Sequence, residues 1–322
     1  MDLRRRGGCA ALWLAAIALC ATTAASAETL RVGNASPRAF SFVPLDVGID
    51  QGIFRKHGLE IEKVGLSGSA KLHQAMVAGA IDIGLGAGTD IAFIVKGVPE
   101  VAVAAMAGPP LQLGVVVPYD SPLKTADDLK GKKIGISTTG SLTQWLMLRL
   151  AKEKGWGRHG VTLVTVGADA TIQAGLIATG QLDAVVSASA LGYQLEESKK
   201  GRLLFPTSDI VSDFLIHAIF ASQTLVRDNP NAVRRFLAGW FETIAFMRRD
   251  KVDTVRVART LTGFSQAVED REYELVMPMF SADGRFPPSA MAVVQRSFVE
   301  LQLLDKEPDL KKYYTEAFLP GR

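Results

Sequence analysis

Small hydroxyl-bearing, glycine and charged residues gather in short loops that follow strand-like apolar runs and open helical ones. Ser36-Pro37-Arg38 follows residues 30–34, Ser67-Gly68-Ser69 follows residues 59–64, and Gly86-Ala87-Gly88-Thr89-Asp90 follows residues 81–85. Thr138, Thr139 and Ser141, then Asp169, then Ser187 and Ser189, hold the equivalent place later in the chain. Such loops lie at the carboxyl ends of strands in open α/β sheets, where ligands bind. The helix N-termini they open offer unpaired N–H groups and a partial positive charge. The set Ser36, Arg38, Ser67, Ser69, Gly88, Thr89, Thr138, Thr139, Ser141, Asp169, Ser187 and Ser189 therefore suits an uncharged-to-anionic polar ligand. Every one of these hydroxyls and carboxylates is also a natural helix cap, and capping and binding can coexist.

Charged and aromatic residues refine that chemistry. Arg38 can hold a sulfonate or carboxylate with two parallel N–H bonds, or stand solvated on the surface. Asp90, Asp169 and Asp213 pull toward a cation or an N–H donor, although the first two suit first turns of helices. His217, in "DFLIHAIF", is read both as a packed, hydrogen-bonded side chain and as a ligand contact. Phe40, Phe42 and Tyr193 are candidates for an aromatic wall or for core.

Catalytic and metal signatures are weak. Residues 84–88, GLGAG, imitate a dinucleotide fingerprint, but Thr89 stands at the last glycine position and the string follows a later strand. Residues 65–69, GLSGS, miss the nucleophile elbow because Ser69 replaces its final glycine. His57, His73, His159 and His217 form no helix-spaced pair. No cofactor and no metal are expected.

The first 27 residues have the pattern of a secretory leader: Arg4, Arg5 and Arg6, an apolar stretch over 9–21, and Ala25-Ser26-Ala27 as a small-x-small cleavage site. The stretch is shorter than the roughly 20 residues that span a bilayer. Both cysteines, Cys9 and Cys20, fall inside it, so a processed chain has no disulfide, cysteine ligand or cysteine nucleophile. Processing takes 36 Lys+Arg against 33 Asp+Glu to 33 against 32, from +3 to +1. A near-neutral chain argues against nucleic acid as a partner.

The elements that must position the loops alternate between strand and helix up to about residue 205, which predicts a mostly parallel sheet. Strands are expected at 30–34, 59–64, 81–85, 101–105, 132–136, 161–166 and 184–186. Helices are expected at 42–57, 126–129, 142–154, 170–178 and 191–198. Residues 210–222 read as an extended return, and helices at 229–247, 252–261, 268–280 and 289–300 complete the chain. Two crossings, near 111–117 and 212–220, divide it into lobe one (28–113 plus 216–322) and lobe two (114–215), with the C-terminal helices on lobe one.

Family resemblance agrees with that plan. "IDQGIFRKHGLEIE", "MVAGAIDIGLG" and "GVPEVAVAAMAG" within residues 44–108, then "DLKGKKIGISTTGS" and "NPNAVRRFLAGWFETIAFM", resemble the solute-binding proteins of bacterial nitrate, sulfonate and taurine ABC importers. The wider group includes binders of thiamine-pyrimidine precursors. The resemblance implies a type II-like two-lobed periplasmic-binding-protein fold, with a ligand cleft between the lobes and a helical C-terminal extension. It also implies a periplasmic protein, expected as a monomer, that closes on a small molecule and docks on an inner-membrane ABC permease. The resemblance leaves nitrate, sulfonates, taurine, carboxylates and pyrimidine precursors open, and Arg38, the hydroxyl loops and the helix N-termini point to a small organic anion. A same-fold enzyme acting on a pyrimidine or chorismate-derived compound, and a solute-sensing receptor subunit, are the alternatives.

Overall fold

The computed structural model describes residues 27–66 and 68–321. Residues 1–26 of the expected leader, with both cysteines, and the candidate Ser67 lie outside the described residues.

The chain opens with strand β1 (Glu28–Asn34), followed by a 3-10 turn at Phe40–Phe42. The helix expected at 42–57 is two helices, α1 (Val43–Asp50) and α2 (Ile53–Lys56). Gly52 separates them with φ of +65°, a left-handed conformation open to glycine at little cost. The break turns Phe54 onto the C-terminal helices. Strand β2 (Leu59–Gly65), helix α3 (Ser69–Val77), strand β3 (Ile83–Ala87), a 3-10 turn at Gly88–Asp90, helix α4 (Ile91–Val95) and strand β4 (Glu100–Ala107) follow.

After the first crossing, at 108–112, come β5 (Leu113–Pro118), β6 (Lys133–Ile136), α5 (Leu142–Glu153), β7 (Thr162–Thr165), α6 (Ala170–Ala178), β8 (Ala184–Ala188), α7 (Ser189–Glu197) and β9 (Gly201–Pro206). The expected extended return is only partly strand. A 3-10 turn at Thr207–Asp209 and an irregular buried stretch precede β10 (His217–Ser222).

Five helices end the chain: α8 (Gln223–Asp228), α9 (Pro230–Arg249), α10 (Lys251–Thr262), α11 (Gln266–Val276) and α12 (Pro288–Glu300). Helix α11 stops short of the expected residue 280 because Pro278 cannot continue it, and a 3-10 turn at Met277–Met279 takes over.

Two five-stranded sheets result, ordered β2-β1-β3-β10-β4 and β7-β6-β8-β5-β9. In each, four strands are parallel and one is antiparallel, β10 in the first and β5 in the second. The antiparallel strand is in both cases the first to enter after a crossing. Helix α9 packs its apolar face, with Phe236, Leu237, Trp240, Ile244 and Met247 buried, onto α1 and α2. Phe54 stacks on Phe236 with ring centroids 5.3 Å apart. The Asn229 carboxamide oxygen caps α9 by accepting from Ala232 N–H at 3.2 Å, with Pro230 at the first position.

Sheet one also buries charge. His73 of α3, Asp90 and Glu100 of β4 are all buried. His73 Nδ1 lies 2.7 Å from Glu100 Oε2, and its Nε2 lies 3.2 Å from Asp90 Oδ2. The ring stacks on Phe93 at 4.8 Å. Burial disfavours the imidazolium, but the Asp90 and Glu100 carboxylates outweigh it and raise the His73 pKa to about 9. Asp90 also accepts the Ala87 N–H at 2.8 Å, so the cation ties the 88–90 turn to the edge strand.

A folded pKa raised above the ordinary 6.5 gives stabilisation that is complete below pH 6.5 and is lost as pH rises through about 9. His73→Gln is therefore expected to cost about 3–5 kcal/mol at pH 6 and clearly less at pH 10. Urea denaturation at the two pH values checks this; an equal loss at both refutes it.

Candidate functional site

Strand direction brings the candidate loops together. Strand β4 runs with β1 and β3, so the chain leaves sheet one at its carboxyl edge. Strand β5 runs against β8, so it enters sheet two at the carboxyl edge of β6 and β8. The return repeats this, because β9 runs with β8 and β10 runs against β3. Both crossings thus join carboxyl edge to carboxyl edge, and the strand-end loops of the two sheets meet at the junction.

The crossings are fixed by backbone contact. Gly88 N–H donates to Ile216 O at 2.9 Å, and a Cβ on Gly88 would stand 2.0 Å from Leu215 O. A Cβ on Gly108 would stand 2.1 Å from Phe214 O. Only glycine permits this approach. Ile216 N–H donates to Ala107 O at 2.9 Å.

His217 sits at this seam, buried, opposite Ala87 in the ladder. Its Nδ1 is 3.2 Å from Gly86 O and its Nε2 is 2.7 Å from Gln112 Nε2. Burial lowers its pKa to about 4, so the ring is neutral at pH 7. Gly86 O can only accept, which places the ring proton on Nδ1 and leaves Nε2 to accept from the Gln112 amide. The Phe42 ring lies 4.9 Å from the imidazole. Gln112 Oε1 is buried with no hydrogen-bond partner among the described residues. Gln112 links the crossings and was not singled out in the sequence; a lone amide inside the apolar run 111–117 was the available signal.

In sheet one, Arg38 Nη2–H donates to Thr262 O at 2.5 Å, turning toward the corner between α10 and α11. Ser36 is exposed, and its carbonyl accepts from Ala39 N–H at 3.1 Å. Phe40 is buried in the turn after β1, Ser69 opens α3, and Thr89 is nearly buried beside Gly88. Asn34, at the end of β1, is fully buried and was also not anticipated.

In sheet two, Thr138 and Thr139 are exposed, and Ser141 caps α5, accepting from Gln144 N–H at 3.3 Å and donating to Thr138 O at 2.6 Å. Asp169 caps α6 through Thr171 N–H at 2.8 Å and Ile172 N–H at 3.0 Å. Ser187 Oγ donates to Gln173 Oε1 at 2.6 Å. Ser189 is fully buried, its N–H donating to Gln112 O at 2.9 Å. The structure therefore gathers Gly88, Thr89, Ser189 and His217 about the crossings. Among the described residues, Ser36, Arg38, Thr138, Thr139 and Asp169 make no hydrogen bond to the crossings.

Side chains also bridge the two halves beside the junction. Arg271 Nη1 of α11 pairs with Glu196 Oε2 of α7 at 2.8 Å, and its guanidinium lies 3.9 Å from the Tyr193 ring centroid. Ser265 Oγ donates to Glu197 Oε1 at 2.8 Å. Between α5 and α12, Glu300 accepts from Trp145 Nε1–H at 2.7 Å and from Lys152 Nζ at 2.9 Å. Among the described residues, no group of three or more His, Cys, Asp or Glu side chains is placed to hold a metal ion.

Residues 39–252 match the family described as NMT1/THI5 like. A Haemophilus influenzae protein described as a thiamine biosynthesis protein is 30% identical over 164 residues, which span 50% of this chain and 51% of that protein. The alkanesulfonate-binding protein SsuA of Xanthomonas axonopodis pv. citri, bound to MOPS, has a similar structure with a TM-score of 0.74 at 20% identity, over 89% of this chain and 98% of that one. The periplasmic aliphatic sulphonate binding protein SsuA of Escherichia coli gives 0.74 at 20% identity, over 89% and 91%. The desulfurization enzyme DSZB gives 0.64 at 18% identity, over 90% and 97%. These likenesses establish the fold, the two-lobed α/β architecture of periplasmic solute-binding proteins, and the family match shows that the chain belongs to the NMT1/THI5-like family.

Proposed function

We propose that this chain is the periplasmic substrate-binding component of an ABC importer, which closes two lobes on a small molecule and delivers it to an inner-membrane permease. The observation that carries this reading is the joining of both sheets at their carboxyl edges, which aims two sets of strand-end loops at one junction. The lobes in this reading are 28–113 plus 216–322, and 114–215. Both touch the ligand, because a ligand shifts an open–closed equilibrium only through unequal affinity for the two states. A secretory leader of the kind expected over residues 1–27 suits such a role, and among the described residues no helix is long and apolar enough to cross a membrane.

The ligand class favoured here is a small organic anion, a sulfonate or carboxylate, held by N–H groups at the N-termini of α5 and α7 and by the hydroxyls around them. Arg38 spends one N–H on Thr262 O, and the rest of its guanidinium stays open to an anion. A thermal-shift panel of inorganic anions, sulfonates, carboxylates, amino acids and aminopyrimidines tests the reading. A ligand at a hundred times its Kd stabilises by about 2.7 kcal/mol. Silence across the panel, or recovery of a chemically altered ligand, moves the weight to the enzyme alternative. Arg38→Ala is expected to weaken the bound anion by about tenfold or more, or at least ~1.5 kcal/mol, in calorimetry; an unchanged Kd removes Arg38 from the site.

Closure in this reading carries a proton cost at the α7–α11 contact. Glu269 and Glu272 of α11 are both buried. Thr262 Oγ1–H donates to Glu269, the Ala190 N–H lies against Glu272, and one oxygen of each carboxyl has no partner among the described residues. Burial, reinforced by the neighbouring Glu269, pushes the Glu272 carboxyl well above its ordinary pKa of 4.5. A carboxyl raised in this way gives stability that is complete below pH 4.5 and is lost as pH rises through the folded value. Glu272→Gln is therefore expected to raise stability at pH 8 by on the order of 1–3 kcal/mol, the cost of an unsatisfied buried polar group, with the gain vanishing toward pH 4. A melting series across that range checks it; a gain independent of pH overturns the assignment.

A further inference from the structure

The C-terminal end of α12 carries two residues that local physics disfavours. Glu300 is the last residue of the helix, where a carboxylate faces the negative end of the helix dipole. Gln302 holds φ of +58°. Its N–H donates to Val299 O at 2.9 Å and the Leu303 N–H to Phe298 O at 2.8 Å, a Schellman turn whose left-handed place glycine usually fills. The contacts made here lie in the other half of the molecule. The turn sets Leu303 against the loop that opens α5, where a Cβ on Gly140 would lie 3.6 Å from Leu303 Cδ2. Glu300 Oε2 accepts the Trp145 indole N–H at 2.7 Å, and Oε1 accepts from Lys152 Nζ at 2.9 Å. Partial burial works against ionisation of Glu300, but the bonds from Lys152 and Trp145 outweigh it and hold the carboxyl below its ordinary pKa. The indole bond is therefore charge-assisted at pH 7. Trp145 is fully buried, and its ring stacks on Phe214 of the return crossing with centroids 4.8 Å apart. Helix α12 also packs against the 88–90 turn. One helix thus braces a strand-end loop of each sheet, away from any ligand.

We propose that the end of α12 is a clasp between the lobes: Glu300 on the Trp145 indole, with Leu303 against Gly140, biases the ligand-free chain toward the closed arrangement. The proposal rests on the lobe-closing reading above. When only a fraction of molecules is competent to bind, the apparent affinity falls by that fraction. Glu300 and Trp145 are then positioning residues, which set affinity without touching the ligand. Loosening the clasp weakens every ligand by the same factor, whereas loss of a contact residue discriminates among ligands.

The test is the distance between two spin labels in the ligand-free protein, read by double electron–electron resonance. Both native cysteines lie in the expected leader, so Lys71→Cys and Ile172→Cys take the only labels on a processed chain. Both positions are exposed, in the first turns of α3 and α6. Those helices follow β2 and β7, the strands farthest from the crossings in their sheets, where opening separates the lobes most. Glu300→Leu removes the acceptor, and Trp145→Phe removes the indole donor while keeping a ring on Phe214. Each is expected to lengthen the distance. Glu300→Gln still offers the indole a carbonyl acceptor and is expected to stay near the wild-type distance. A wild-type distance in either Glu300→Leu or Trp145→Phe, or a Glu300→Gln chain as open as Glu300→Leu, overturns the clasp. No ligand enters the measurement, so a silent ligand panel leaves it standing. If a panel ligand shortens the wild-type distance while both variants match the ligand-free wild type, the clasp fails and the lobe-closing reading stands.

Discussion

Gly88 and Gly108 let two stretches of backbone approach the return crossing at 214–216 more closely than any side chain allows. The Gly88 N–H to Ile216 O and Ile216 N–H to Ala107 O bonds then lock the two crossings together at the carboxyl edge of sheet one. Everything that could act on a ligand is placed relative to this seam. The 88–90 turn is fixed on its other side by the His73 cation, and β10 begins at His217 directly after the seam. Ser189, at the start of α7, is tied to the same place through the Gln112 carbonyl. A Cβ at either glycine would push the crossings apart and displace both sets of loops at once.

The seam also determines the polarity at its centre. A buried imidazole between a carbonyl and an amide has one consistent proton arrangement, and it is neutral. In the proposed reading, charge recognition falls to the loops, the helix N-termini and Arg38, while the seam offers directed hydrogen bonds and the Phe42 ring. This division suits a site in which the hinge does not change its charge when the lobes move. The raised, buried carboxyl lies instead at the periphery, where Glu272 faces the N-terminus of α7.

Much of this was legible in the sequence because local physics decides it. Glycine punctuation, apolar density and the Asn229-Pro230 start of α9 mark the alternation of elements and the long amphipathic helix. The two-lobed plan follows from alternation that pauses near 111–117 and again after 207. Other features depend on tertiary context. Gly52 breaks a helix that the apolar pattern alone continues, because Phe54 finds Phe236 only in the folded chain. Ser141 and Asp169 cap α5 and α6 as their residue types and places imply, but the Ser187 bond to Gln173 depends on the folded chain. Glu269 and Glu272 look like the solvent face of a helix until α7 covers them. Gln112 gains its meaning from the register between crossings more than a hundred residues apart.

The two kinds of contact between the halves differ in strength, and that difference explains how a small ligand could control the whole. The seam is backbone hydrogen bonding inside a dry, close-packed region, where each lost bond leaves a buried group unsatisfied. The peripheral bridges, Arg271–Glu196 and Lys152–Glu300, are partly exposed, with side-chain exposures of 51% and 45%, and 70% and 21%. Pairs of that kind contribute about 0–1 kcal/mol each. Glu272 destabilises the α7–α11 contact at neutral pH, because burial disfavours its charged form. In the proposed reading the seam acts as the hinge, and the exposed bridges are the contacts that an opening movement breaks at least cost. A differential affinity of about a hundredfold, roughly 2.7 kcal/mol, exceeds what the two exposed bridges supply together.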